Sequence, residues 1–212
     1  MRDFNHLLLI PDGMRRFSRK EKIEIDETQE LAATKQVEFI KSLLLVPGIV
    51  DELTIYALAA YNLQRAPNEV ESLIIWCDRI FEYLLQIRKE FDFEVTVVGR
   101  EDMLKELTLH GWQELERLIS INSGTSSKRL NLLFCYESLK SCPENIPAHK
   151  WHPFLNPIDM IFRFGQPENL TRGSAIFPMS EQAYWNSITT LFPDADVEET
   201  TKLILQRFGR IE

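Results

Sequence analysis

Leu7 to Arg16 reads LLLIPDGMRR, and it places an acid, a glycine and two guanidiniums within a few residues of one another. Asp12 follows Pro11, which lacks an amide donor and ends any sheet ladder. Gly13 permits a sharp turn. Met14, Arg15 and Arg16 then open a helix, whose first amides face whatever sits at its N-terminus. Together these groups suit a metal-bound phosphate: a carboxylate for the cation, amides and arginines for the anion. The plainer alternative is a strand ending in an Asp-Gly turn, with both arginines in solvent. Basic residues continue beyond the motif as Arg19, Lys20 and Lys22, opposed only by Glu21.

The elements that would position these residues can be read from the pattern. Leu7 to Ile10 is a short apolar run, a buried strand. Helical spacing runs from Phe17 to about Leu45, with Leu31, Val37, Ile40 and Leu44 on the apolar side. Leu53 to Leu58 is a second strand, with Asn62 and Arg65 just past its end. Pro67 can start a long helix to about Glu90. Phe93 to Val98 is a third strand, and a helix follows from about Asp102 to Ile119. Leu130 to Tyr136 is a fourth strand. Residues 142–157 hold four of the ten prolines and read as a loop or short helix. Met160 to Phe164 is a fifth strand, Ser174 to Phe177 a candidate sixth, and Val197 to Phe208 a final helix. Strands alternating with helices predict one α/β domain over residues 1–212, with a mostly parallel sheet flanked by helices. Ligands of such sheets gather beyond the carboxyl ends of the strands. Asp12, Asn62, Arg65 and Arg163 all fall there.

Composition sets bounds. The chain has 212 residues, 44% hydrophobic, enough for a substantial core. Its net charge of −8 argues against nucleic-acid binding by bulk charge. Cys77, Cys135 and Cys142 form no CxxC motif and read as reduced thiols. The first residues contain too short an apolar run for a signal peptide, and no segment has the length of a membrane span. A cytoplasmic protein is expected. Neither GxGxxG nor GxxxxGK[ST] is present.

Taken in sequence, several blocks resemble the cis-prenyltransferases of the undecaprenyl diphosphate synthase type. LLLIPDGMRRFSRK resembles their Asp-Gly-Asn-Gly-Arg-Trp opening. LTIYALAAYNLQRAP resembles the block ending in Glu-Asn-Trp and Arg-Pro. LNLLFCYE, DMIFRFG with RGSAIFP, and LFPDADVEETTKLILQRFGR resemble the later blocks. The resemblance implies magnesium and an allylic diphosphate at Asp12, with Gly13, Met14, Arg15 and Arg16 around that diphosphate. It implies Asn62 in proton removal, Arg65 in diphosphate binding, and Arg163, Arg172 and Ser174 on a second diphosphate. It also implies a homodimer, for which Phe177, Tyr184, Trp185 and Phe192 offer apolar side chains.

The departures have a direction. Met14 replaces an Asn, Phe17 a Trp, Tyr61 a Glu and Leu63 a Trp. Ile25 and Gln29 stand near positions of an Arg and a His, and Glu181 only approximates a magnesium-binding Glu. This loss of polar groups resembles the short-chain branch that makes lavandulyl and cyclolavandulyl diphosphates by head-to-middle joining. Head-to-tail synthesis of another chain length, rearrangement of one prenyl diphosphate by a cyclase, and a noncatalytic subunit remain the alternatives. His6 is read as structural. For Arg163 the alternative to a diphosphate is an ion pair with Asp159 or Glu168; for Asn62 it is a helix cap.

Overall fold

The computed structural model describes residues 5–136, 157–165 and 183–208. Six strands form one sheet: β1 (His6–Ile10), β2 (Glu52–Tyr56), β3 (Glu94–Gly99), β4 (Arg129–Phe134), β5 (Met160–Arg163) and β6 (Tyr184–Ser187). Their order is β3-β4-β2-β1-β5-β6, and every pairing is parallel. The strand β6 lies outside the runs that the sequence pattern marked, because its Tyr-Trp-Asn-Ser sits at a half-exposed edge and lacks an apolar run. The expected strand over Ser174 to Phe177 falls outside the described residues.

The helices are α1 (Met14–Glu21), α2 (Ile25–Leu43), α3 (Pro67–Ile87), α4 (Glu101–Leu107), α5 (Leu109–Ser120) and α6 (Val197–Arg207). The single helix expected from Phe17 to Leu45 is two helices. Lys22 caps the first in the left-handed conformation, at φ 57°, and Glu24 is extended. The run from Asp102 also divides: Thr108 is extended and its hydroxyl accepts from the Gly111 amide, capping α5.

Alternation along the strands sorts the core into two faces. Leu7, Leu9, Leu53, Ile55, Leu130 and Leu132 face one large cluster with Phe39 and Ile40 of α2, Leu73 to Leu84 of α3, and Leu115 of α5. Leu31, expected on this side, is instead part-exposed on α2. Leu8, Ile10, Tyr56, Leu133 and Ile161 form the smaller cluster on the opposite face. On that second face His6 is fully buried, with Nε2 2.7 Å from the Thr54 hydroxyl. The Glu52 carboxylate beside it accepts from the Asn131 amide at 2.7 Å. His6 is thus a core residue, as its sequence context indicated.

Phe192 corrects the expected docking surface. It is fully buried and packs against Phe39 and Phe164, with ring centroids 5.6 and 5.1 Å away. It belongs to the subunit's own core, whereas Tyr184 and Trp185 are exposed on β6; Phe177 lies outside the described residues. Phe192→Ala is therefore expected to lower unfolding free energy by about 3–5 kcal/mol in urea titrations. A loss below about 1 kcal/mol would show that the ring is not a core group.

Candidate active site

Pro11 ends β1, and the chain turns through Gly13 at φ 118° directly into α1. A Cβ at Gly13 would meet Leu191 at 2.9 Å, so both the turn and the packing require glycine. This geometry sets Asp12 beyond the carboxyl end of β1. The parallel register pairs Ile10 with Arg163, which brings the end of β5 alongside.

The Asp12 carboxylate is held from two sides. Its Oδ2 accepts a 2.8 Å hydrogen bond from Arg163 Nη2, and its Oδ1 lies 3.4 Å from Arg16 Nη2. Arg16 also donates through Nη1 to the Gly165 carbonyl, two residues beyond Arg163. The Arg163 side chain is only 5% exposed, so a charged partner is required. Among the described residues that partner is Asp12; of the two that the sequence offered, Asp159 accepts from the amides of Asn5 and His6 at 2.9 and 3.0 Å, and Glu168 lies outside the described residues.

A second group stands past β2, on a short 3-10 helix (Ala60–Gln64). Asn62 Oδ1 accepts from Arg65 Nη2 at 2.8 Å. It does not cap α3, whose N-terminus is formed by Ala66 and Pro67 without a side-chain cap. Glu69 Oε2 sits 3.8 Å from Arg65 Nε and 3.6 Å from Arg15 Nη1, bringing Arg15 and Arg65 to one carboxylate. Burial lowers the Arg65 pKa, and the neighbouring charge of Arg15 lowers it further. Two guanidiniums pressed together in this way gain from any anion that enters between them.

Both groups border one cavity of about 630 Å³. Among the described residues, Arg15, Arg16, Arg19, Arg65 and Arg163 line it with one lining carboxylate, Asp12, and Glu69 stands behind Arg15 and Arg65. Gly13, Met14 and Asn62 line it as well, while Ala57, Leu73 and Trp76 give it an apolar part. The cavity thus gathers all the sequence-predicted site residues that are described. Arg172, Ser174 and Glu181 lie outside the described residues. Arg19, Gln29, Tyr56 and Trp76 are among the lining residues to which the sequence assigned no role. Arg19 follows Arg15 by one helical turn, a usable signal. Gln29 had only its place near a family His, and Tyr56 and Trp76 carried no signal, since each is a nearly buried residue of an element with an ordinary apolar pattern.

Magnesium can be tested against this donor set. Among the described residues no three His, Cys, Asp or Glu side chains gather into a metal cage. Asp12 is part-exposed to the cavity and supplies one carboxylate. That fits a magnesium ion carried by phosphate oxygens and touched by one acid, rather than a site built by protein alone.

A family model described as "Putative undecaprenyl diphosphate synthase" matches residues 10–149. The chain belongs to the undecaprenyl diphosphate synthase family. A tritrans,polycis-undecaprenyl-diphosphate synthase (geranylgeranyl-diphosphate specific) of Thermococcus kodakarensis is 31% identical over 133 residues, 62% of this chain and 48% of that one. The dehydrodolichyl diphosphate synthase complex subunit of Homo sapiens is 23% identical over 195 residues, covering 86% and 58%. The chain thus spans about half the length of the curated relatives it matches. The crystal structure of lavandulyl diphosphate synthase from Lavandula x intermedia, in complex with dimethylallyl diphosphate, superposes with a TM-score of 0.76 at 19% identity, covering 98% of this chain and 95% of that one. A probable undecaprenyl diphosphate synthase from Campylobacter jejuni gives a TM-score of 0.70 at 16% identity, covering 100% and 98%. The sheet and its helices are therefore those of the cis-prenyltransferase fold.

The ion pairs of Asp12 predict an effect opposite to that of losing an ordinary binding residue. In metal-free buffer, Asp12→Asn removes a like charge from the cavity and releases Arg16 and Arg163. Calorimetry is expected to show inorganic pyrophosphate binding at least about fivefold tighter than to the parent, as about 1 kcal/mol of competition is lifted. Unchanged or weaker binding would mean that Asp12 does not compete for these arginines.

Proposed function

We propose that the chain is a magnesium-dependent prenyltransferase that joins two short isoprenyl diphosphates, dimethylallyl diphosphate in the first instance, head to middle. The observation that carries this reading is the cavity at the strand ends, where five described arginines and one described carboxylate, Asp12, form the lining beside an apolar wall. A diphosphate is the anion whose charge and oxygen count match such a cluster. Family membership supplies the reaction class. The head-to-middle preference rests on the resemblance of the sequence to the lavandulyl branch: Met14 in PDGMRR, Tyr61 and Leu63 in place of polar or larger partners, and the Arg-x-Ser stretch of RGSAIFP.

The chemistry asks little of the protein. The allylic carbon–oxygen bond of one substrate breaks, and pyrophosphate leaves with the electron pair. The double bond of the second substrate attacks the cation, a carbon–carbon bond forms, and a proton is lost. Arg15, Arg16 and Arg65 hold the departing charge, which is electrostatic stabilisation where charge develops. Arg163 grips the second diphosphate, joined by Arg172 and Ser174. Ala57, Leu73 and Trp76 keep water from the cation. Asn62 fixes Arg65 and stands by the departing proton. Magnesium, held through Asp12 and phosphate oxygens, would neutralise charge on the leaving group.

The 2.8 Å contact between Arg163 and Asp12 supports a reading in which the two diphosphates bind side by side. A lysine at 163 keeps a charge but loses the fork that reaches a carboxylate and a phosphate at once. Arg163→Lys is therefore expected to raise the KM of the second substrate most, and to disturb the first measurably. Asp12→Ala is expected to retain the fold and lose turnover to below about a hundredth of the parent. Activity within tenfold, with unchanged thermal unfolding, would remove Asp12 from the mechanism.

Product analysis tests the reaction itself. Incubation with dimethylallyl diphosphate alone, followed by dephosphorylation, mass spectrometry and NMR, should give a branched lavandulyl skeleton, with or without a ring. Product only when isopentenyl diphosphate is added would identify head-to-tail synthesis. Conversion of geranyl or farnesyl diphosphate alone would identify a cyclase.

A further inference from the structure

Gly165 sits where β5 ends, at φ 83°, and three contacts meet on it. Its carbonyl accepts from Arg16 Nη1. A Cβ at this position would lie 2.6 Å from Arg16 Nη2 and 3.0 Å from the carbonyl oxygen of Asp12. The backbone around it is fixed from both sides, because the Phe164 amide donates to Ile10 and the Gly165 amide to Ile188, at 3.1 and 2.9 Å. Among the described residues, the near neighbour of a methyl group here that is able to move is the guanidinium of Arg16. The empty space above the Gly165 Cα is the seat in which that guanidinium rests.

We infer that Gly165 is a positioning residue for anion binding: its carbonyl and its missing side chain hold Arg16 against Asp12, aimed at the leaving diphosphate. The inference rests on the diphosphate reading of the cavity and extends it to a residue that touches no substrate. It ties the end of β5, which carries Arg163, to the first turn of α1, which carries Arg16. The two sides of the cavity are thereby set by one backbone carbonyl. The cost of a side chain at 165 divides accordingly. Left-handed strain at φ 83° falls on stability, whereas displacement of Arg16 falls on binding.

The test is a double-substitution cycle with inorganic pyrophosphate as the probe, in metal-free buffer, alongside thermal unfolding. Gly165→Ala should weaken pyrophosphate binding about tenfold, the loss of one charge-assisted hydrogen bond. Arg16→Ala should weaken it at least as much. In the Arg16→Ala background, Gly165→Ala should add no more than about twofold, since no guanidinium remains to displace. Multiplicative losses, or unchanged binding in Gly165→Ala, would overturn the inference. Should Gly165→Ala fail to fold, Gly165→Asn, a residue type that enters the left-handed region more readily, takes its place in the cycle with the same two outcomes. A parent protein that does not bind pyrophosphate removes the diphosphate reading and this inference with it. Parent binding with independent losses removes the inference alone.

Discussion

One carboxylate between two guanidiniums organises the strand-end cavity of this protein. Asp12 stands within 2.8 Å of Arg163 and 3.4 Å of Arg16, and its two oxygens divide between them. A guanidinium as buried as that of Arg163 is unstable without a counter-charge, so the protein must supply one. Asp12 does so, and at the same time it is the acid best placed for a phosphate-borne cation. The compensation that stabilises the free protein is thus the interaction that substrates must replace. It depends on a chain of local facts: Pro11 ending the strand, Gly13 turning it, and parallel pairing of β1 with β5 that brings residues 10 and 163 level.

The second guanidinium group follows the same logic at the end of β2. Arg15 and Arg65 approach one another only because Glu69 lies between them and Asn62 holds Arg65. Five arginines on one cavity would repel one another strongly in a dry interior, and the part-exposed rim moderates this. On the proposed reading an incoming diphosphate would relieve the repulsion, and the apolar wall would keep water from the carbocation. That chemistry requires no nucleophile or histidine, and the described residues lining the cavity include no histidine, serine or cysteine.

Most of this arrangement was legible because it is carried by local signals. The apolar runs of β1, β2 and β4, and the Pro-Asp-Gly turn, are readable from residue type alone, and the strand ends then bring Asp12, Asn62, Arg65 and Arg163 together. Three kinds of feature were not. Lys22 and Thr108 break helices through backbone conformations that the apolar spacing runs straight across. The edge strand β6 lacks an apolar run because half of it faces solvent. Pairings between distant residues also escape local patterns: Arg163 meets Asp12 rather than Asp159, and Phe192 fills its own core rather than a surface. Gly165 shows the limit most plainly, since a glycine after an apolar strand reads as a turn, and its role emerges only when Arg16 is placed above it.

The central claim is that the cavity around Asp12 is where prenyl diphosphates bind and that binding opens its ion pairs. A crystal structure with magnesium and an unreactive thiolodiphosphate analogue of dimethylallyl diphosphate tests it most directly. The account predicts diphosphate density between Arg15, Arg16 and Arg65, a cation on Asp12, the prenyl tail against Trp76 and Leu73, and Arg163 turned from Asp12 to an anion. Ligand bound outside this cavity, or bound within it while Arg163 stays closed on Asp12 and no cation touches that carboxylate, would contradict it.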